Sequence, residues 1–364
     1  MDRDLLILGQ DNDILLDLVV LDLVFNGVPR QIYIRNDHFN SMPDLLFFQH
    51  FRLKKDTILQ FLPRIEERVE YIHNLNNSIS PINQLLIISR FYATGCPQFS
   101  LAHFGGMHKS TVCRIIKKVT EAICHLSEEY IKMPASDEDI RRVQIGFFEK
   151  ASFPRVIAVI DCTHVKIQSP EDIDAEIFRN RKGYFSLNVQ VAVDSSYKFL
   201  NLVARWPGSI HDATIFYNSL LRACFERNDY PNCFLLGDSG YALKPYLLTP
   251  LLETNTEEER RYNESHIRTR VIVENTFGIW KRRFPILAYG CRTKLQKTIN
   301  IIVATAILHN IARNAGEDIP QDENAQELQR LLDITNVPVL ANNLNDLNGF
   351  HIRNELIYNY FSRL

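Results

Sequence analysis

Three acids end or interrupt apolar segments of this chain. Asp161 follows Val156-Ile157-Ala158-Val159-Ile160, Asp238 follows Cys233-Phe234-Leu235-Leu236-Gly237, and Glu274 sits among Val271, Val273, Phe277 and Trp280. A carboxylate at the end of a buried strand lies at the sheet edge where ligands bind. Two bare carboxylates a few ångströms apart repel, and one pKa rises unless a cation sits between them. An oxygen-only donor set suits Mg²⁺ or Mn²⁺. Two such ions, about 3.5–4 Å apart, activate a water and stabilise the leaving oxygen in phosphodiester cleavage. Each acid also has an ordinary reading. Asp161 and Asp238 could be turn residues, and Glu274 could pair with Arg270 one turn earlier. Asp212 reads either as a further metal ligand or as a charge at a helix start.

The elements that must position these acids are legible. Residues 156–160 include four β-branched side chains and form a short unbroken apolar run, the pattern of a buried central strand ending at Asp161. Residues 186–194 alternate as a half-buried strand, Ser195-Ser196-Tyr197-Lys198 makes a hairpin turn, and 199–205 is a third strand. Trp206-Pro207-Gly208-Ser209-Ile210-His211-Asp212 turns into a helix predicted from Ala213 to about Arg227. Cys233 to Asp238 is a fourth strand and Ser239-Gly240-Tyr241 a tight turn. Residues 253–261 read as a charged loop, 268–283 as a helix stopped by Pro285, and 298–312 as a strongly apolar core helix. Strand, hairpin, helix, strand, then a helix carrying an acid is the order of an α/β ribonuclease H-like fold: a mixed sheet with flanking helices. Its first and fourth strands lie side by side, so Asp161 and Asp238 would nearly touch.

Upstream, residues 1–75 read as helices, with a break at Pro63. Ser80-Pro81 starts a helix that stops at Gly95. A short helix, the Gly105-Gly106 turn and a basic helix follow. Residues of about 80–126 thus carry a helix-turn-helix pattern, in which Lys109, Arg114, Lys117 and Lys118 would meet phosphates. The alternative is a helical bundle with a solvated basic face. Arg181 and Lys182, which precede the second strand, and Lys281 and Arg282, which follow Glu274 on its helix, are further candidate DNA contacts. Because 274, 278 and 281 share a helical face, Lys281 could reach a phosphate near the metals; an exposed charge cluster is the plain alternative. Ser136-Asp137-Glu138-Asp139 opens another helix. The organisation is therefore an all-α domain over 1–150, the α/β domain over 151–314, and a tail over 315–364. That tail carries 8 acids against 3 bases, an Asn-rich loop and a terminal helix.

With 43 acids and 41 bases the net charge is −2, so nothing pulls the whole chain toward nucleic acid. DNA contact must come from local basic patches or a partner. The seven cysteines include no Cys-x-x-Cys pair, which suits a reducing compartment and argues against a zinc cluster. Asp17 and Asp22 interrupt the N-terminal Leu-rich stretch, so no membrane span is expected. His164, His211 and His309 read as structural hydrogen-bonding residues ahead of metal ligands.

In Val159-Ile160-Asp161-Cys162-Thr163-His164-Val165, Arg181-Lys182-Gly183-Tyr184-Phe185-Ser186-Leu187-Asn188, Trp206 to Asp212, Leu236-Gly237-Asp238-Ser239-Gly240-Tyr241, Arg261-Tyr262-Asn263, Val273-Glu274-Asn275-Thr276-Phe277-Gly278 and Leu308-His309-Asn310, the chain resembles the PIF/Harbinger transposase superfamily. It is most similar to the domesticated Harbinger transposase-derived nucleases of animals. The resemblance implies a divalent-metal-dependent DNA endonuclease with Asp161, Asp238 and Glu274 as its acidic triad. Asp161 would bridge two Mg²⁺ or Mn²⁺ ions, and Asp212 falls on an acid of the metal-site region. It further implies a Myb-like/SANT DNA-binding partner that aids nuclear entry, and hence a nuclear and cytoplasmic protein. One departure is Cys162, where active members often have glycine; strand alternation points it away from the face of Asp161. A catalytically silent chromatin-associated adaptor and a still mobile transposase are the other readings, and homo-oligomerisation is left open.

Overall fold

The computed structural model describes residues 35–72, 78–170, 174–318 and 346–364. The Leu-rich stretch of residues 1–34 and the asparagines at 342, 343 and 345 lie outside the described residues.

The helical half comprises α1 (His38–Ser41), α2 (Asp44–Phe51), α3 (Lys55–Phe61), α4 (Glu66–Val69), α5 (Pro81–Thr94), α6 (Gln98–Phe104), α7 (Lys109–Cys124), α8 (Ser127–Tyr130) and α9 (Asp137–Ala151). Pro63 lies in a short 3₁₀ turn over Leu62–Arg64, which separates α3 from α4 as its missing N–H requires. Gly95 ends α5 with φ 63°, a left-handed C-cap. Ser136 accepts the N–H of Asp139 and starts α9. Helix α7 packs on α5, α6 and the later core helix, so its apolar face, including Val112, Ile115, Ile116 and Val119, is fully covered.

The second half contains β1 (Val156–Lys166), β2 (Ser186–Val193), β3 (Phe199–Pro207), α10 (Asp212–Tyr217), α11 (Leu220–Glu226), β4 (Phe234–Leu236), β5 (Leu247–Leu248), α12 (Glu257–Arg283), α13 (Ile286–Tyr289), α14 (Leu295–Asn314) and α15 (Leu347–Asn359). The strands form one mixed sheet in the order β3-β2-β1-β4-β5. β1 pairs antiparallel with β2 and parallel with β4.

Three sequence expectations are corrected. β1 does not end at Asp161. Its antiparallel ladder with β2 continues to Lys166 opposite Ser186, and only the shorter neighbour β4 stops near that level. The helix expected over 213–227 is two helices, because Ser219 caps a new start by accepting the N–H of Arg222. The charged loop expected over 253–261 is largely the first turns of the 27-residue α12. There Thr256 and Glu259 form a reciprocal capping box. Three glutamates in the first turn and Lys281, Arg282 and Arg283 in the last complement the helix dipole.

The buried apolar side chains form a core cluster that runs from Phe47 through the sheet to Phe361. The tail takes part in it. Phe361 is 0% exposed between Phe153 and Tyr262, a burial worth about 1.5–3 kcal/mol.

Helix α14 is keyed to the β2–β3 hairpin by two side chains. Asn310 accepts the N–H of Phe199 and donates to its carbonyl, both at 2.8 Å. His309 Nε2 donates to the Tyr197 carbonyl at 2.7 Å, while its Nδ1 is buried without a partner among the described residues. Burial therefore pushes the His309 pKa down to about 3, from about 6.5 in an unfolded chain. Between those values the unfolded state binds the extra proton, so this contribution is lost as pH falls. Buried carboxyls such as Asp161 act in the opposite direction, so the clean readout is a difference. The stability gap between wild type and His309→Gln is expected to shrink by about 2 kcal/mol from pH 7 to pH 5, measured by urea unfolding. A gap that stays constant would mean the imidazole is not held neutral.

Candidate active site

The sheet order determines which acids meet. Val159 of β1 lies opposite Leu236 of β4, an offset of 77 residues (236 − 159). The same offset carried two residues on places Asp161 level with Asp238, on neighbouring chains that run about 4.8 Å apart. Helix α12 packs across β1 and β4 and brings Glu274 to this place. Arg270, one turn before Glu274, ties Glu274 to Asp161. Its Nη2 donates to Glu274 Oε1 at 2.7 Å and to Asp161 Oδ2 at 3.5 Å. The ordinary reading of Glu274, a pair with Arg270, is thus observed, and it lies within the acid cluster.

Each acid is also held locally. Asp161 Oδ1 accepts the N–H of Cys162 at 2.8 Å. Asp238 Oδ1 accepts the N–H of Gly240 at 2.9 Å. A Cβ at Gly240 would stand 2.9 Å from that oxygen, so the turn has no room for a side chain there. Asp212 opens α10, and its Oδ1 accepts from Asn188 Nδ2 at 2.8 Å. Asn188 also donates to the Ile210 carbonyl at 2.9 Å. The Trp206-Pro207-Gly208 segment that leads there approaches β2 closely: a Cβ on Gly208 would meet Ser186 Oγ at 2.3 Å.

Burial pushes the Asp161 carboxyl up to about 7, with Arg270 pulling it down and Asp238 and Asp212 pushing it further up. Asp238 is raised for the same first reason, burial, and Arg270 again opposes. Four carboxylates against one guanidinium would leave a surplus of negative charge if all ionise. The donor chemistry therefore fits a hard divalent cation. The closed ligand geometry is not formed, because among the described residues no three His, Cys, Asp or Glu side chains converge as a ready metal cage. The residues that would hold the metal are Asp161, Asp238 and Glu274, with Asp212 alongside.

Cys162 and His164, which alternate with Asp161 along β1, face Tyr241, Ser186 and the charge of Asp212. Cys162 Sγ lies 3.5 Å from the Tyr241 hydroxyl, and burial, reinforced by Asp212, pushes the thiol well up. His164 Nδ1 pairs with Ser186 Oγ at 3.0 Å, and burial pushes it down to about 4.

Of the cations expected at phosphates, Lys109, Arg114, Lys117 and Arg181 are exposed. Arg181 donates to the His211 ring, next in sequence to Asp212. Lys182 Nζ is shielded and has no hydrogen-bond partner among the described residues. Arg282 is half-buried and bonds the Gly278 carbonyl at 3.2 Å. Two expectations are corrected. Lys281 is 2% exposed, and its ammonium donates to Thr163 Oγ1 at 2.7 Å and to the His164 carbonyl at 3.2 Å. It is a strut between α12 and β1: the end of α12 packs closely enough on the sheet to bury Lys281, although Glu274 two turns earlier is exposed. Lys118 donates to the carbonyls of Val69 and Glu70 at 2.8 and 3.1 Å, closing the end of α4. Asn188, Gly240 and the bridging role of Arg270 were not singled out as site residues from the sequence. The i,i+4 spacing of Arg270 and Glu274 was visible; the contact with Asp161 was not.

Residues 160–310, which span most of the sheet and all of α12, match the DDE superfamily endonuclease family. The human protein named "Putative nuclease HARBI1" is 32% identical over 302 residues, covering 79% of this chain and 82% of that protein. Its Xenopus laevis counterpart is 29% identical over 291 residues, with the same coverage. The Arabidopsis thaliana protein named "Antagonist of like heterochromatin protein 1" is 23% identical over 303 residues, covering 78% of this chain and 76% of that one. No solved structure matches significantly. The chain belongs to the Harbinger transposase-derived family of DDE endonucleases.

Proposed function

We propose that this protein is a divalent-metal-dependent DNA endonuclease whose reaction centre is Asp161, Asp238 and Glu274. The observation that carries this is that Arg270 bridges Asp161 of β1 and Glu274 of α12, while the β1–β4 register sets Asp238 level with Asp161. The strand order, with a parallel β1–β4 pair beside an antiparallel hairpin, supports a ribonuclease H-like sheet. Asp161 and Asp238 would hold the metal from the sheet, Glu274 would close it from the helix, and Asp212 would add charge. A bound Mg²⁺ or Mn²⁺ would supply Lewis-acid activation of water and of the scissile phosphate. Around it, Gly240 keeps the Asp238 carboxylate in place and Asn188 keeps Asp212 in place. Arg181, which is exposed, would meet the DNA backbone beside the acids, whereas the Lys182 ammonium is shielded. Purified protein is expected to nick supercoiled duplex DNA only with Mn²⁺ or Mg²⁺ present. No cleavage and no metal-dependent thermal shift would sink this reading.

The pair α6–α7 is proposed as a DNA-contacting helix-turn-helix. Lys109, Arg114 and Lys117 remain free for phosphates, whereas Lys118 is spent within the fold. Replacing those three by alanine is expected to lower the slope of log K against log salt by up to about 3, at roughly 0.9 per phosphate contact. An unchanged slope would leave α7 as a bundle helix. The near-neutral charge supports DNA recruitment through a separate DNA-binding protein, which by the family resemblance would be Myb-like/SANT and would bring the protein into the nucleus as well as the cytoplasm. The heterochromatin in the plant relative's name favours a second reading, a chromatin-associated adaptor without chemistry. Failure of the nicking assay alongside retained chromatin association would select it.

A further inference from the structure

The acids of the site already hold a cation, and the chain supplies it. Arg270 rises from the same face of α12 as Glu274 and touches both Glu274 and Asp161. Its side chain is 21% exposed, and those of Asp161 and Glu274 are 14% and 40% exposed. The guanidinium is therefore partly enclosed but retains a route to solvent. Two features distinguish it from a finished structural ion pair. A single nitrogen serves both carboxylates, where an arginine commonly presents a two-nitrogen fork to one. Its Nε is buried without a hydrogen-bond partner among the described residues, which is costly. The carboxylates it engages are the ones a metal would need, and with the guanidinium between them no three-ligand set converges.

We propose that Arg270 is a placeholder cation, which neutralises Asp161 and Glu274 in the metal-free protein and must swing aside before these acids coordinate a divalent ion. The inference rests on the metal-dependent reading given above. Like charges in contact with the same oxygens repel, so guanidinium and dication exclude each other. Metal affinity is then reduced by the fraction of molecules in which Arg270 occupies the site. The device keeps a buried acid cluster foldable without metal, because an unpaired buried carboxylate would otherwise be left.

The test compares wild type, Arg270→Gln and Arg270→Lys at one pH and ionic strength, by calorimetric Mn²⁺ titration and by thermal melts with and without Mn²⁺. Arg270→Gln is expected to melt lower than wild type without metal. It is expected to bind Mn²⁺ at least about tenfold tighter, as loss of an adjacent positive charge implies, and so to show the larger Mn²⁺-induced shift. Arg270→Lys restores a charge and should return both quantities toward wild type. Should Arg270→Gln fail to fold, Arg270→Met keeps the apolar stem and carries the same expectations. Equal or weaker Mn²⁺ binding by the Gln or Met variant than by wild type overturns the placeholder role alone. Binding by neither wild type nor variant overturns the metal-dependent reading and the placeholder with it. Binding by the variant only supports the placeholder in its strongest form.

Discussion

Asp161→Asn, Asp238→Asn and Glu274→Gln are each expected to abolish Mn²⁺-dependent nicking of duplex DNA while leaving the protein folded. Each replacement keeps nearly the same volume but removes one negative charge and one metal-binding oxygen. Loss should exceed about 100-fold, because removing even an outer partner of a metal ligand commonly costs about 10–100-fold. Folding is expected to survive for an electrostatic reason. Burial disfavours the ionised forms of Asp161 and Asp238, so a neutral amide removes an unfavourable charge even as Arg270 loses a partner. Without metal, the melting temperature of Asp161→Asn should therefore be no lower than that of wild type at neutral pH. With Mn²⁺, wild type should shift upward and the variants much less. Asp212→Asn is expected to lose activity less severely, since Asp212 opens α10, is held by Asn188 and lies outside the proposed triad. Cleavage by all three triad variants at the wild-type rate would show that the acids are assigned wrongly.

The second large effect concerns stability far from the acids. Arg283 and Glu317 form an ion pair at 2.5 Å with both side chains 0% exposed. Arg283 also donates to the carbonyls of Arg52 and Asp318 at 2.7 and 2.8 Å, and Glu317 accepts the N–H of Lys54 at 2.8 Å. Three parts of the fold meet here: the end of α12, the α2–α3 connection and the segment after α14. Glu317→Gln leaves the buried guanidinium without its counter-charge. Such a loss typically costs about 3–5 kcal/mol, which is a large share of the stability of an ordinary domain. The urea midpoint should fall accordingly with an unchanged slope. Arg283→Met combined with Glu317→Leu should recover part of the loss by removing both charges, yet not all, because the carbonyls and N–H they served remain buried. A Glu317→Gln midpoint within error of wild type would contradict this account.

Much of this protein was legible in the sequence because its signals are local. Four β-branched residues in 156–160 specify a buried strand whatever surrounds them. Gly95, Pro63 and Ser136 act within a turn of themselves, and each does in the structure what its chemistry requires. The capping box of Thr256 and Glu259 was local too, but a run of charges masked it, and the start of α12 was read as a loop. What the sequence could not contain is which long-range partner claims each polar group. Lys281 and Lys118 read as phosphate contacts, and tertiary packing spends both on backbone and hydroxyl oxygens. Asp161 read as a strand end, yet a ladder with β2, thirty residues away in sequence, carries the strand past it. Glu317 read as one of the 8 acids of the tail, and only the closing of α12 on the α2–α3 turn buries it. The three acids themselves are in the sequence; the placing of Asp161 beside the end of β4, and the arginine that joins it to Glu274, are products of the sheet order and of one helix laid across it. A buried charge is tolerable only where a partner from elsewhere in the chain compensates it, and that partner is chosen by the tertiary fold.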